Sequence, residues 1–130
     1  MLKTQNGWTV EKMIAQVRAK NNGTRSIKTT LDDQGNIHSI QCRYRQFDDN
    51  GNVINCCAAG CFIPDDEYST AMEGCSIAKV MECFPKLKFP LGVDEMIDFQ
   101  RAHDFYDFYE GKEDMRDILE GWIRANVQDS

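Results

Sequence analysis

Long apolar runs are missing from this sequence. No stretch approaches the ~18 apolar residues that a membrane-spanning helix needs, and residues 1–13 lack the apolar centre of a secretory leader. Neither a membrane protein nor an exported one is expected, and the cytoplasm is the expected location. Also missing are any paired C-x-x-C knuckle, a Walker-type glycine loop and a G-x-G-x-x-G fingerprint, the common signatures of zinc ribbons and of phosphate-binding turns. Proline is scarce at three residues, and imidazole chemistry has only His38 and His103 to draw on. No Pro-, Gly- or Ser-rich tract divides the chain, so residues 1–130 read as a single domain.

Enough is present for an ordinary core, with 42% hydrophobic and 28% charged residues. The net charge of −6 is unevenly spread. Residues 12–45 hold Lys12, Arg18, Lys20, Arg25, Lys28, Arg43 and Arg45 against Asp32 and Asp33, whereas residues 94–130 carry eleven acids against four cations. Separate surfaces of opposite sign are expected, and the acidic end disfavours direct binding of nucleic acid.

Hydrophobic periodicity predicts a first helix from Thr9 to Asn21, with Thr9 as N-cap and Val10, Met13, Ile14 and Val17 on one face. A β section follows. Leu31-Asp32-Asp33-Gln34-Gly35-Asn36-Ile37 is echoed sixteen residues later by Phe47-Asp48-Asp49-Asn50-Gly51-Asn52-Val53, and two like turns predict a three-stranded antiparallel meander. Period two on its middle strand places His38, Ile40, Cys42 and Tyr44 toward the core and Ile37, Ser39, Gln41, Arg43 and Arg45 toward solvent. A short buried helix capped by Asn55 is expected at Cys56–Phe62. Ser76 caps a helix built on Ile77, Val80, Met81 and Phe84, and two further helices follow at about Val93–Tyr109 and Glu113–Val127. The fold class is α+β, an N-terminal helix on the meander followed by a C-terminal helical section.

The residues offer several chemistries, each beside a plainer reading. Asp48, Asn50 and Asn52 fail as a calcium loop, because Gly51 is misplaced and no glutamate closes the loop, whereas Asp, Asn and Gly make tight turns. The six cysteines, Cys42, Cys56, Cys57, Cys61, Cys75 and Cys83, are expected to be reduced thiols and not metal ligands, so no cofactor or metal is expected. Cys56 or Cys57 near a helix start, with His103 beside Asp104 as base, would make a thiol nucleophile, but small neighbours such as Gly60 suit close packing better. Arg43, Arg45 and Tyr68 are the candidate ligand-binding residues; alternation sends Tyr44 away from the two arginines, and a salt-bridged arrangement with Asp65, Asp66 or Glu67 is the competing reading. Glu113, Asp117 and Glu120 line one face of the last helix, and with Asp104 and Asp107 they form the candidate partner-binding surface.

Four segments taken together are distinctive: Cys42-Arg43-Tyr44-Arg45, the run from Cys57 through Ala59-Gly60-Cys61-Phe62-Ile63-Pro64 to Tyr68, Met72-Glu73-Gly74, and Phe99-Gln100-Arg101-Ala102-His103-Asp104. Over about residues 9–105 the chain resembles small uncharacterised proteins of tailed bacteriophages, from which it departs in a fuller first hairpin, the doubled cysteine and the acidic last helix. The resemblance implies an origin and no chemistry. With it, the expected function is that of a non-enzymatic phage accessory protein in the host cytoplasm, which binds and modulates a host protein with a basic surface, such as a defence-system component. A small-molecule or nucleotide-binding, sponge-like protein is the alternative, and a cysteine-dependent enzyme the third reading.

Overall fold

The computed structural model describes residues 1–105 and 113–130. Helix α1 spans Val10–Lys20, and Thr9 caps it as its spacing predicts, the side-chain oxygen accepting from the Lys12 N–H at 3.1 Å. Met13, Ile14 and Val17 are its buried face. Strand β1, Leu2–Lys3, precedes it, and β2 (Ile27–Leu31) and β3 (Ile37–Cys42) follow as an antiparallel hairpin. Strands β4 (Arg45–Phe47) and β5 (Val53–Cys56) form a second hairpin. Helices α2 (Ile77–Cys83), α3 (Val93–Asp104) and α4 (Met115–Asn126) complete the α+β fold, and β6, Val127–Gln128, returns to pair in parallel with β1. Among the described residues no helix is long and apolar enough to cross a membrane.

The echoed turn sequence is realised twice in the same geometry. Asp32 Oδ1 accepts from the N–H groups of Gln34 and Asn36, and Asp48 Oδ1 from those of Asn50 and Asn52, all at 2.9 Å. Gly35 and Gly51 supply the left-handed residue, at φ 81° and 82°. The aspartates are thus turn-makers, as expected.

Between the turns the expected middle strand breaks. The two hairpins are separate two-stranded sheets and not one meander, because β3 ends at Cys42 and β4 begins at Arg45. At the break the Tyr44 and Arg45 N–H groups donate to the Glu73 carboxylate (2.8 and 3.1 Å), so a side chain takes the place of a neighbouring strand. Alternation fails there as a result. Arg45 is buried, although expected in solvent, while His38 and Ile40, expected in the core, are exposed. Asn55 sits inside β5 and caps no helix; the small-residue run instead turns as a 3-10 segment, Ala59–Phe62.

The core gathers α1 against α4, α4 against α3 and α3 against α2, with Ala58, Ala59 and Cys61 filling the narrow space between them. The α4 stripe is Met115, Leu119 and Ile123, with Ile118 and Trp122 at its margin. Trp8, Phe62, Phe99 and Trp122 form a file of rings with centroids 5.1, 5.9 and 5.0 Å apart. The expected continuation of α3 toward Tyr109 lies outside the described residues.

Candidate functional site

The four distinctive segments converge in space. Arg43, Arg45 and Tyr68 are brought together as the candidate ligand site required, but Glu73 and Asp65 already stand there. Besides capping the strand break, Glu73 accepts from the Tyr68 hydroxyl at 2.6 Å and lies 3.6 Å from Arg43 Nε. The Arg45 guanidinium covers the Tyr68 ring at 4.5 Å, donates to the Ile63 carbonyl at 2.9 Å and pairs with Asp65 at 2.8 Å. Burial, reinforced by the Glu73 hydrogen bond, pushes the Tyr68 hydroxyl above its ordinary value, so it stays protonated and donates. The cluster fastens the strand break to the 3-10 segment, and the salt-bridged reading holds for Arg45 with Asp65.

A second network lies on the other side of Tyr44. Gln100 of α3 is bonded at every position: its Oε1 accepts from the Ala59 N–H at 2.8 Å, and its Nε2 donates to Cys42 Sγ at 3.1 Å and to Asp104 Oδ1 at 2.9 Å. The wholly buried His103 places Nε2 2.9 Å from the Ser26 N–H. A backbone N–H only donates, so Nε2 is the acceptor, and Nδ1 carries the proton that meets Asp104 Oδ1 at 3.0 Å. Burial works to raise the Asp104 carboxyl, but the hydrogen bonds from His103 and Gln100 outweigh it and hold the group below its ordinary range.

Cys42, His103 and Asp104 lie within 4.8 Å of one another, the make-up of a metal triad or a thiol-imidazole-carboxylate relay. The hydrogen bonding suits neither. The Gln100 amide nitrogen stands where a cation would sit, near all three, and His103 has no free ring nitrogen to take a thiol proton. The cysteine beside His103 is moreover Cys42. Cys56 and Cys57, the thiols weighed as nucleophiles against a packing role, sit in a buried segment, where desolvation pushes both thiols up, as it does Cys61. All six cysteines are free thiols.

Outside this network an open cavity of about 490 Å³ is walled by Tyr44, Ile77 and Ile97 and reached by Cys42, Gln100 and Asp104. From Cys42 an apolar face runs outward along the first hairpin. Directly opposed residues share a face, so Ile27, Thr29 and Leu31 lie with Cys42, Ile40 and Ile37. Leu31, Ile37 and Ile40 are 59%, 63% and 44% exposed. On the second hairpin Phe47 opposes Val53, and both are exposed, as is Ile54.

The acidic candidates are dispersed. Asp117 and Glu120 pair with Arg18 of α1 at 2.6 and 2.9 Å, and Glu120 also pairs with Arg124. Glu113 is exposed, Asp104 belongs to the histidine network, and Asp107 lies outside the described residues. The basic and acidic stretches of the sequence touch where Arg18 of α1 meets Asp117 and Glu120 of α4. Glu73, Gln100 and Cys42, the organising residues, all fall in the distinctive segments; periodicity places Cys42 on the core side of its strand but registers the bonding role of none of the three. Comparison with protein-family models, with curated proteins and with solved structures finds no match.

Proposed function

We propose that this chain is a non-enzymatic binding protein that engages another protein through the apolar faces of its two hairpins. In the phage setting that the resemblance implies, the partner is a host protein whose action is modulated, a defence-system component being one such target. The observation that carries this reading is the face running from Cys42 at the cavity to Ile40, Leu31 and Ile37 near the hairpin tip. Contiguous exposed apolar surface marks protein-protein contact sites. A two-stranded hairpin is marginal in water by itself, so covering this face also stabilises the hairpin.

A partner with a basic surface is the second reading, favoured by Glu113, which stands exposed at the start of α4. The two readings separate in one experiment. The chain captures a partner from host lysate, the complex is rebuilt from purified components, and binding is compared for Leu31→Ser/Ile37→Ser and for Glu113→Lys. Loss in the first variant with retention in the second is the expected result. Retention in the hairpin variant, with loss in Glu113→Lys, would move the interface to the acidic face.

A further inference from the structure

On the side of the molecule formed by the N-terminal loop, Asn6, Gly7, Trp8, Lys12, Phe62, Pro64, Glu67, Lys86 and Lys88 surround a cavity of about 350 Å³. We propose that this cavity is a nucleotide-binding site, with the base against the Trp8 indole and the phosphates among the Lys12, Lys86 and Lys88 ammonium groups.

The walls are built before any ligand arrives. The Trp8 Nε1–H donates to the Lys88 carbonyl at 2.7 Å, and the ring meets Phe62 edge to face at 5.1 Å and 89°. Asn6, the one non-glycine residue with positive φ among those described (57°), donates from Nδ2 to the Phe89 carbonyl at 2.8 Å. The Gln5 N–H donates to the Pro90 carbonyl at 2.9 Å. Residues 5–8 are thereby tied to residues 88–90, and the indole is fixed as an aromatic wall.

The three cations arrive from two places in the chain: α1 contributes Lys12, and the loop after α2 contributes Lys86 and Lys88. All three are exposed, and among the described residues no carboxylate lies within 4 Å of their ammonium groups. Arg18, Arg43, Arg45, Arg101, Arg116 and Arg124, by contrast, all have one. Three lysines against the single Glu67 carboxylate leave the lining of this cavity net positive, which favours a polyanion. The first turn of α1 does not supply the attraction, because Thr9 and the Asp129 carboxylate already accept from its Lys12 and Val10 N–H groups.

The ligand class follows from using every wall. Inorganic phosphate or an acidic peptide would leave the indole idle. A nucleotide places a flat heteroaromatic ring on Trp8, phosphates on the lysines and the ribose hydroxyls or a base amino group within reach of the Glu67 carboxylate. A cavity of about 350 Å³ lies within the ~300–1,000 Å³ range of small-molecule sites. The site shares no lining residue with the cavity at Cys42 and stands independently of the hairpin reading.

The test is calorimetric titration of the intact chain, at low salt, with ATP, pyrophosphate and adenosine as separate probes. ATP is expected to bind below about 1 mM, with pyrophosphate and adenosine each at least about tenfold weaker. Lys86→Glu/Lys88→Glu, with both positions on the surface, is expected to keep the parent melting temperature and to weaken ATP at least about tenfold. Raised salt weakens ATP more than adenosine. Trp8→Phe, which preserves an aromatic contact with Phe62, keeps the fold and lowers ATP affinity while leaving pyrophosphate unchanged. ATP binding no tighter than pyrophosphate would overturn the proposal, as would indifference to the lysine reversal or tighter binding of an oligothymidine strand.

Discussion

At the scale of single residues, the fold depends on polar side chains that do the work of backbone. Glu73 replaces a missing strand by accepting the Tyr44 and Arg45 N–H groups, and its removal leaves two donors without partners. Glu73→Ala is expected to cost about 2–4 kcal/mol in urea unfolding, because each buried unsatisfied group costs about 1–3 kcal/mol. Tyr68→Phe, which removes only the 2.6 Å hydroxyl bond to the same carboxylate, should cost about 1 kcal/mol. Equal losses in the two variants would refute the clamp. Asp104 gives a pH-dependent counterpart. Its folded-state value is depressed, so its contribution is complete above the ordinary unfolded value of about 3.9 and drains away as pH falls through the lower folded value. The stability difference between the parent and Asp104→Asn is therefore expected to be greatest at neutral pH and to shrink below about pH 4. A difference that stays constant across that range would mean that the charge contributes nothing.

At the scale of elements, what was legible in the sequence is what local chemistry decides. Thr9 and Ser76 cap the helices they precede, and the doubled Asp-x-x-Gly-Asn phrase makes two like turns. The strand break was not legible, since its cause, Glu73, lies 29 residues beyond Tyr44 and no period-two pattern registers it. Burial of Arg45 follows from the break. His103 was legible only as a possible base beside Asp104, and its buried role as acceptor for the Ser26 N–H was not, because that contact spans 77 residues. Gly60 was legible as a packing glycine, and the structure supplies the reason. A β-carbon there would stand 2.2 Å from the Tyr44 carbonyl oxygen, part of the backbone, so nothing flexible can move aside. Even Gly60→Ala is expected to destabilise by about 1–3 kcal/mol through overpacking of the 3-10 segment on the strand break. A parent-like denaturant midpoint would show that the two segments separate easily. The α1–α4 contact carries its own charge test: Asp117→Lys/Glu120→Lys sets like charges against Arg18 and should lower the melting temperature at low salt, with recovery at about 1 M salt.

At the scale of the whole molecule, burial sorts the six thiols into an order that chemistry can read. Cys83 is exposed, Cys42 and Cys75 are half-buried, and Cys56, Cys57 and Cys61 are enclosed, with burial pushing their thiols up. Alkylation of the native protein followed by peptide mass spectrometry should mark Cys83 first and Cys42 and Cys75 later. The other three should react only on unfolding, and early marking of Cys57 would mean that the core opens locally. The pairing of β1 with β6 has an effect of a different kind, on the timing of synthesis. Leu2 has no strand partner until Val127 is made, and the Val10 N–H waits for the Asp129 carboxylate. At about 5–20 residues per second, the Val10 N–H of the Thr9-capped first helix spends roughly ten seconds without its Asp129 acceptor. Closure of the β1–β6 pair therefore waits until residues 127–129 have left the ribosome, and any factor that meets the chain earlier meets an open form.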